Sequence, residues 1–335
     1  MKRVLVTGAG GFVGRELVSL LARSGYSGVA TGRRPPESMP AGFEAAARDD
    51  VLDGRLPVEA IDALVHLEVK HHVMNPDPRA VAEIDAVNVG GTRTWLDWAS
   101  ARGIPRFVFA SSVKAVRAEA GNTLETALPE ASDPYGRSKA RAEDAVRGWA
   151  AADPQTVATI LRFAPVYGPG NTANLADFAR QVLRGRPCFV GRGQTRKSVV
   201  SLRNATAAIE WALQAGVAGC DVYNVSDPAA HSIGELATMI ASAGDAPRPR
   251  GLPALLARVG AVAGDVAGMI LRRPALLNSK RLKAMLETTV FPPDKLVAHG
   301  FVHAQQTEAG IAELVAWLTG APKAAEGDRP SRTPS

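Results

Sequence analysis

The sequence is short of cysteine, of aromatic rings and of any long uncharged apolar run. Its two cysteines, Cys188 and Cys220, stand far apart and outside any Cys-x-x-Cys or Cys/His cluster, which excludes a zinc module or a disulfide framework. None of the six histidines sits in a ligand cluster; His71 and His72 are adjacent, so their side chains diverge, and no metal is expected. Aromatic residues make up 5% and do not alternate with basic ones, so a stacking platform for single strands is absent and no nucleic-acid partner is expected. The longest apolar candidate, 252–271, contains Arg258 and Asp265 and opens beside Pro253. A spanning helix needs about 20 nearly uncharged residues, so this stretch reads as a helix that does not cross a membrane. The chain starts Met-Lys-Arg-Val-Leu-Val-Thr, straight into a strand with no apolar signal segment. A cytoplasmic protein with no membrane partner is expected. No basic run exceeds two residues, so the net charge of +6 reads as a basic surface, either without message or suited to anions such as nucleotides.

What is present is an enzyme-sized chain. At about 150 residues per domain, 335 residues make two domains or one large domain with a lid. Hydrophobic residues reach 46%, enough for an ordinary core. Near-continuous apolar runs mark strands at 3–7, 28–32, 43–48, 63–67, 106–111 and 156–163, with helices at 14–24, 79–101 and 134–151 between them. That alternation predicts an α/β fold, a Rossmann-type doubly wound parallel sheet with a smaller C-terminal α/β substrate domain. Residues 1–165 read as the dinucleotide-binding domain, with 197–226 returning to it through a strand at 197–202, a helix at 205–215 and a strand at 222–225. Residues 166–196 and 227–320 read as the substrate domain. Within it fall helices at 175–183, at 231–243 with Ser232 and Glu235 spaced as a capping box, and at 307–318. The last stretch, 321–335, lacks apolar periodicity and reads as a disordered tail.

Thr7-Gly8-Ala9-Gly10-Gly11-Phe12-Val13-Gly14 lies between the first strand and the first helix. In that context Gly8 makes a tight turn, Gly11 lets the backbone approach a pyrophosphate, and Gly14 lets helix and sheet pack closely. The helix N-terminus then faces the anion. The second strand ends Gly32-Arg33-Arg34, with no acid from 17 to 36 to hold a ribose 2′-hydroxyl. Two guanidiniums suit a 2′-phosphate, which favours NADP(H) over NAD unless both are solvated loop residues. Asp50-Val51 follows the third strand, either to meet an adenine or as a plain turn. In Asp133-Pro134-Tyr135-Gly136-Arg137-Ser138-Lys139, Asp133 is placed as an N-cap. Tyr135 and Lys139 are one helical turn apart, so the ammonium is expected to lower the phenol's pKa and make Tyr135 a general acid/base. Ser111-Ser112 ends the strand before it.

Taken in order, these pieces resemble the extended short-chain dehydrogenase/reductase family of nucleotide-sugar epimerases, dehydratases and 4-ketoreductases. The resemblance rests on Thr7 to Gly14, His66-Leu67, Asn88-Val89-x-Gly-Thr92, Ser111-Ser112, Tyr135-x-x-x-Lys139 and Leu161-Arg162 with Pro165 to Gly170. It implies that Ser112 orients the substrate oxygen, Tyr135 transfers the proton and Lys139 holds the nicotinamide ribose. It implies cofactor contacts from Leu67 and Pro165, an architectural Asn88, and a homodimer. The stretch His66-Leu67-Glu68-Val69-Lys70-His71-His72-Val73-Met74 with Ser111-Ser112-Val113-Lys114 is similar to a branch acting on UDP-N-acetylhexosamines. That likeness implies substrate contacts from Lys114, Asn174 and Lys197, Asn174 reading equally as a helix cap. Glu68 departs from the pattern, placing a negative group beside the nicotinamide pocket. The implied activity is NADPH-dependent reduction of a 4-keto nucleotide sugar; a 4-epimerase retaining NAD and a non-catalytic cofactor sensor are the alternatives.

Overall fold

Val4 and Val6 point to one side of the first strand and Leu5 to the other, and all three are fully buried. A strand with two apolar faces must be covered twice, and it is. The computed structural model describes residues 2–33, 38–55, 60–71, 76–172, 175–271 and 278–320. Arg34, Asn174 and the predicted tail lie outside them. Seven parallel strands form the sheet: β1 Arg3–Thr7, β2 Ser27–Gly32, β3 Phe43–Ala47, β4 Ala63–His66, β5 Arg106–Ser112, β6 Val157–Phe163 and β7 Gly219–Val225, in the order β7-β6-β5-β4-β1-β2-β3. On one face Val4, Val6, Val65 and Leu161 pack with Leu17 and Leu21 of helix Phe12–Arg23 and with Ile209 of helix Leu202–Ala212. On the other, Leu5, Leu64, Phe107 and Ile160 pack with Trp95 of helix Gly91–Ala101 and Val146 of helix Pro134–Ala152. This is the doubly wound, Rossmann-like arrangement. Strand order reverses between β1 and β4, and at such a switch point the C-terminal strand ends are where sheets of this kind bind a ligand.

Gly28 has φ +153°, and a Cβ there would lie 1.9 Å from the Val4 carbonyl oxygen, so only glycine lets β2 pair so closely with β1. The helix expected over 79–101 is instead Pro78–Asp85 and Gly91–Ala101 joined by a π turn at Ala86–Gly90. The strand expected at 197–202 is two short pieces, Arg196–Lys197 and Val200–Ser201. A separate apolar cluster gathers helices Leu175–Leu183, Ile233–Ala243 and Thr307–Thr319 through Ala179, Val182, Leu236, Ile240, Ile311 and Leu314. The capping box at Ser232 and Glu235 is formed. Cys188 and Cys220 are free, and the described residues contain no metal-holding cluster.

Candidate active site

The glycine loop is shaped by close contact. Gly8 has φ +67°, and a Cβ on it would press on the Leu67–Glu68 peptide at 2.9 Å. One on Gly14 would meet the Gly8 oxygen at 2.4 Å. Gly11 is the N-cap of helix Phe12–Arg23, with no side-chain cap and no acid in the first turn. The helix amides there are left for an anion, and the bare backbone leaves room for one to approach. This fits a dinucleotide pyrophosphate. The ring of Phe12 lies 3.8 Å from where a Gly170 side chain would begin, so the loop after β6 closes on the glycine loop.

Around it the cofactor candidates are less uniform. Arg33 is exposed at the end of β2. Asp50 lies in a short helix, Arg48–Leu52, rather than beyond a strand reaching Arg48, and pairs with Arg55 at 3.3 Å. Val51 is buried, its carbonyl accepting from Trp98 Nε1 at 3.2 Å. The Leu67 amide donates to Thr7 Oγ1 at 3.2 Å, and the Pro165 carbonyl accepts from Val200. Glu68 lies against the glycine loop, its backbone amide next to Gly8, but its carboxylate is not a bare charge. Its carboxylate accepts from Arg48 Nε at 3.2 Å and Trp95 Nε1 at 3.1 Å, so its charge is neutralised by a guanidinium and tied to the layer under Trp95.

Ser112 and Tyr135 meet in a hydrogen bond, and Lys139, one turn further along the helix, reaches the same strand at Ala110. Pro134 starts the helix, capped by Asp133, whose Oδ1 accepts from the Gly136 amide at 2.8 Å. A Cβ on Gly136 would lie 2.2 Å from the Lys114 carbonyl oxygen; its bare backbone lets this helix start against the Ser112–Lys114 turn. Ser112 is hydrogen-bonded to Tyr135 and accepts from the Lys114 amide at 3.2 Å. Lys114 Nζ pairs with Asp133 at 3.3 Å and stands 5.9 Å from the Tyr135 ring centre. Lys139 is 2% exposed; its Nζ donates to the Ala110 carbonyl at 2.6 Å, 4.4 Å from the centre of the Phe109 ring. Burial pushes the Tyr135 phenol up to about 12, Ser112 pulling it down and Asp133 adding to the rise. Burial pushes Lys139 down to about 7, against the pull of Glu143. The expected lowering of Tyr135 is thus reversed in the protein alone, because desolvation outweighs any ammonium.

Asn88 takes the architectural place expected of it, while its partner Ser138, and Glu143 further along the helix, are residues the sequence reading passed over. Asn88, raised on the π turn, accepts from the Lys70 amide at 2.7 Å and donates to Ser138 Oγ at 2.9 Å, and Ser138 donates to the Tyr135 carbonyl. It ties the segment after β4 to the Tyr135 helix, an architectural task. One turn beyond Lys139, the fully buried Glu143 accepts from Ser111 at 2.6 Å and from Arg162 at 2.7 Å. Its spacing, Tyr135, Lys139, Glu143, was the available signal. Lys197 sits in a strand paired with His231–Ser232, its Nζ donating to the Glu287 carbonyl, and burial lowers its pKa.

Comparison with known proteins gives the family and the fold. The model of the NAD dependent epimerase/dehydratase family matches residues 4–226. The N-acetyl-alpha-D-glucosaminyl-diphospho-ditrans,octacis-undecaprenol 4-epimerase of Escherichia coli O157:H7 is 27% identical over 313 residues, 92% of each chain. The UDP-glucose 4-epimerase of Vibrio cholerae is 33% identical over 257 residues, 73% of this chain and 77% of that one. Among solved structures, MoeE5 in complex with UDP-glucose and NAD superposes with a TM-score of 0.71 at 25% identity, covering 95% of this chain and 99% of that one.

Proposed function

This chain belongs to the NAD dependent epimerase/dehydratase family, and from that premise we propose that it is a 4-epimerase of a hexose carried on a diphosphate, with NAD retained in the crevice. The observation that carries the reading is that helix Pro134–Ala152 brings Tyr135 onto Ser112 and Lys139 onto the Ala110 carbonyl, both at the C-terminal end of β5, in the sheet that also carries the glycine loop. Both named relatives are 4-epimerases, one of a UDP-hexose and one of a hexosamine on undecaprenol diphosphate, which supports it. A nicotinamide held at that loop supplies a hydride acceptor and donor. Tyr135 takes the proton of the sugar 4-hydroxyl and returns it to the same oxygen after the sugar has turned its other face. Ser112 holds that oxygen. Lys139 holds the ribose, and anionic charge at the loop favours its ammonium, which in turn favours the phenolate. Lys114 and Lys197 contact the substrate, as does Asn174, which lies outside the described residues; the sugar side is built from 166–196 and 227–320, and two copies pair through the segment 79–101 and helix Pro134–Ala152.

NADPH-dependent reduction of a 4-keto sugar is the second reading. Arg33, with Arg34 beside it and no acid on the segment from 17 to 36, favours it. One experiment separates the two. The purified protein is denatured and the released dinucleotide identified, and fresh protein is given a diphosphate-linked hexose without added nucleotide. Stoichiometric NAD and exchange between C4 epimers are expected. An empty site, with turnover only on added NADPH, replaces the epimerase by the reductase.

A further inference from the structure

Helix Ala254–Leu271 has two unlike faces. Ala257 and Ala261 are buried and pack with Leu282, Val190 and Leu252. Leu255, Val259 and Val262, spaced i, i+4, i+7, lie on one outward stripe at 73%, 60% and 59% exposure, with Leu256 beside them at 58%. Single exposed apolar residues need no cause, but four on one helix face form a patch.

The charge of this stretch of sequence is equally uneven. Residues 248–286 carry eight Lys or Arg against a single Asp, a surplus of seven. The whole chain has a surplus of six, so the rest of it is, on balance, slightly acidic. Arg248, Arg250, Arg258 and Lys283 are exposed. The one acid, Asp265, accepts from the amide and hydroxyl of Ser279 and so holds the start of helix Ser279–Leu286. Among the described residues no helix is long and apolar enough to cross a membrane. An apolar stripe on a helix that cannot span, within a cationic stretch of chain, is the chemistry of an element lying in the surface of an anionic bilayer.

We propose that helix Ala254–Leu271 docks this protein on an anionic membrane surface, Leu255, Leu256, Val259 and Val262 entering the headgroup boundary while the exposed Arg248, Arg250, Arg258 and Lys283 meet lipid phosphates. The docking stands on surface chemistry alone. Its consequence, that the diphosphate carrying the hexose belongs to a membrane-resident lipid, rests on the epimerase reading.

The test uses the full chain and no substrate, so its outcome is separate from that of the epimerase reading. Sedimentation is measured with vesicles of equal parts phosphatidylcholine and phosphatidylglycerol, with phosphatidylcholine alone, and at high salt. Wild type is expected to partition onto the anionic vesicles and to weaken as salt rises. The variant Leu255→Ser/Leu256→Ser/Val259→Ser/Val262→Ser is expected to lose about tenfold or more in partition, with melting temperature and dinucleotide content unchanged. Absence of wild-type binding overturns the proposal. Equal binding by the variant makes the face a general polyanion surface and overturns it too. So does a wild-type protein that ignores vesicles but dimerises through this face, the variant being monomeric.

Discussion

Tyr135 carries its proton too tightly by itself. Burial holds the phenol near 12 with Ser112 as its hydrogen-bond partner, so in the free protein it is an acid in waiting rather than a base. Removing only the phenolic oxygen, in Tyr135→Phe, keeps the ring and leaves the glycine loop and Lys139 in place. If that oxygen moves the proton, turnover falls by about 10²–10⁴-fold, in kcat and kcat/KM together, while melting temperature and dinucleotide affinity stay at wild-type values. A Phe variant with wild-type turnover would take Tyr135 out of the chemistry, and the epimerase and reductase readings with it. The Tyr-x-x-x-Lys spacing was legible in the sequence because a helix fixes which residues share a face. The direction of the phenol's shift was not, since it depends on how much water the fold removes.

One element, helix Pro134–Ala152, connects catalysis to stability. Beyond Tyr135 and Lys139 it carries Glu143, whose carboxylate is held by Ser111 of β5, Arg162 of β6 and, at 2.9 Å, Arg147 of its own helix. Arg162 is 2% exposed, so Glu143→Gln would leave a buried guanidinium without its counter-charge. Loss of one partner of such a pair destabilises by about 3–5 kcal/mol. Urea denaturation checks this; a loss under about 1 kcal/mol would mean that solvent or other groups already compensate Arg162. The elements most legible in the sequence were those with enough residues for a pattern. Val-Leu-Val in β1 and Phe-Val-Phe in β5 announced buried strands. β7 was foreseen only at its apolar end, because it opens Gly-Cys-Asp and takes its place from pairing with β6. The π turn under Asn88 leaves the helical period of 79–101 unbroken, and the bonds Asn88 makes there, to Lys70 and Ser138, run across space rather than along the sequence. The two-residue strands at Arg196–Lys197 and Val200–Ser201 are too short to show any period.

Across the whole molecule, two buried bases shape the dependence of stability on pH. His66 is 1% exposed, set between Thr7 Oγ1 at 2.8 Å and Thr92 Oγ1 at 3.1 Å. Thr92 Oγ1 donates to the Asn88 carbonyl at 2.7 Å, so it accepts from His66, placing the ring proton on Nε2 and leaving Nδ1 to accept from Thr7. Neither nitrogen has use for a second proton. Burial, with Lys139 and Arg48 adding to it, lowers the pKa to about 3. The unfolded chain therefore binds more protons than the native one between about 3 and 6.5, and stability rises with pH across that window. Lys139 acts on a higher window: lowered to about 7, it makes stability rise again from there toward 10.5. The neutral-His66 contribution is thus whole above 6.5 and lost on acidification. His66→Gln keeps a donor and an acceptor but cannot titrate. The variant should be less stable than wild type at pH 7, through poorer packing beside Phe109, whose ring stacks on His66 at 5.8 Å. As pH falls from 6 to 4 the gap should close by about 1.4 kcal/mol per unit, read from denaturation midpoints without added nucleotide. Wild-type and variant curves that run parallel through that range would show that His66 takes no part in acid unfolding.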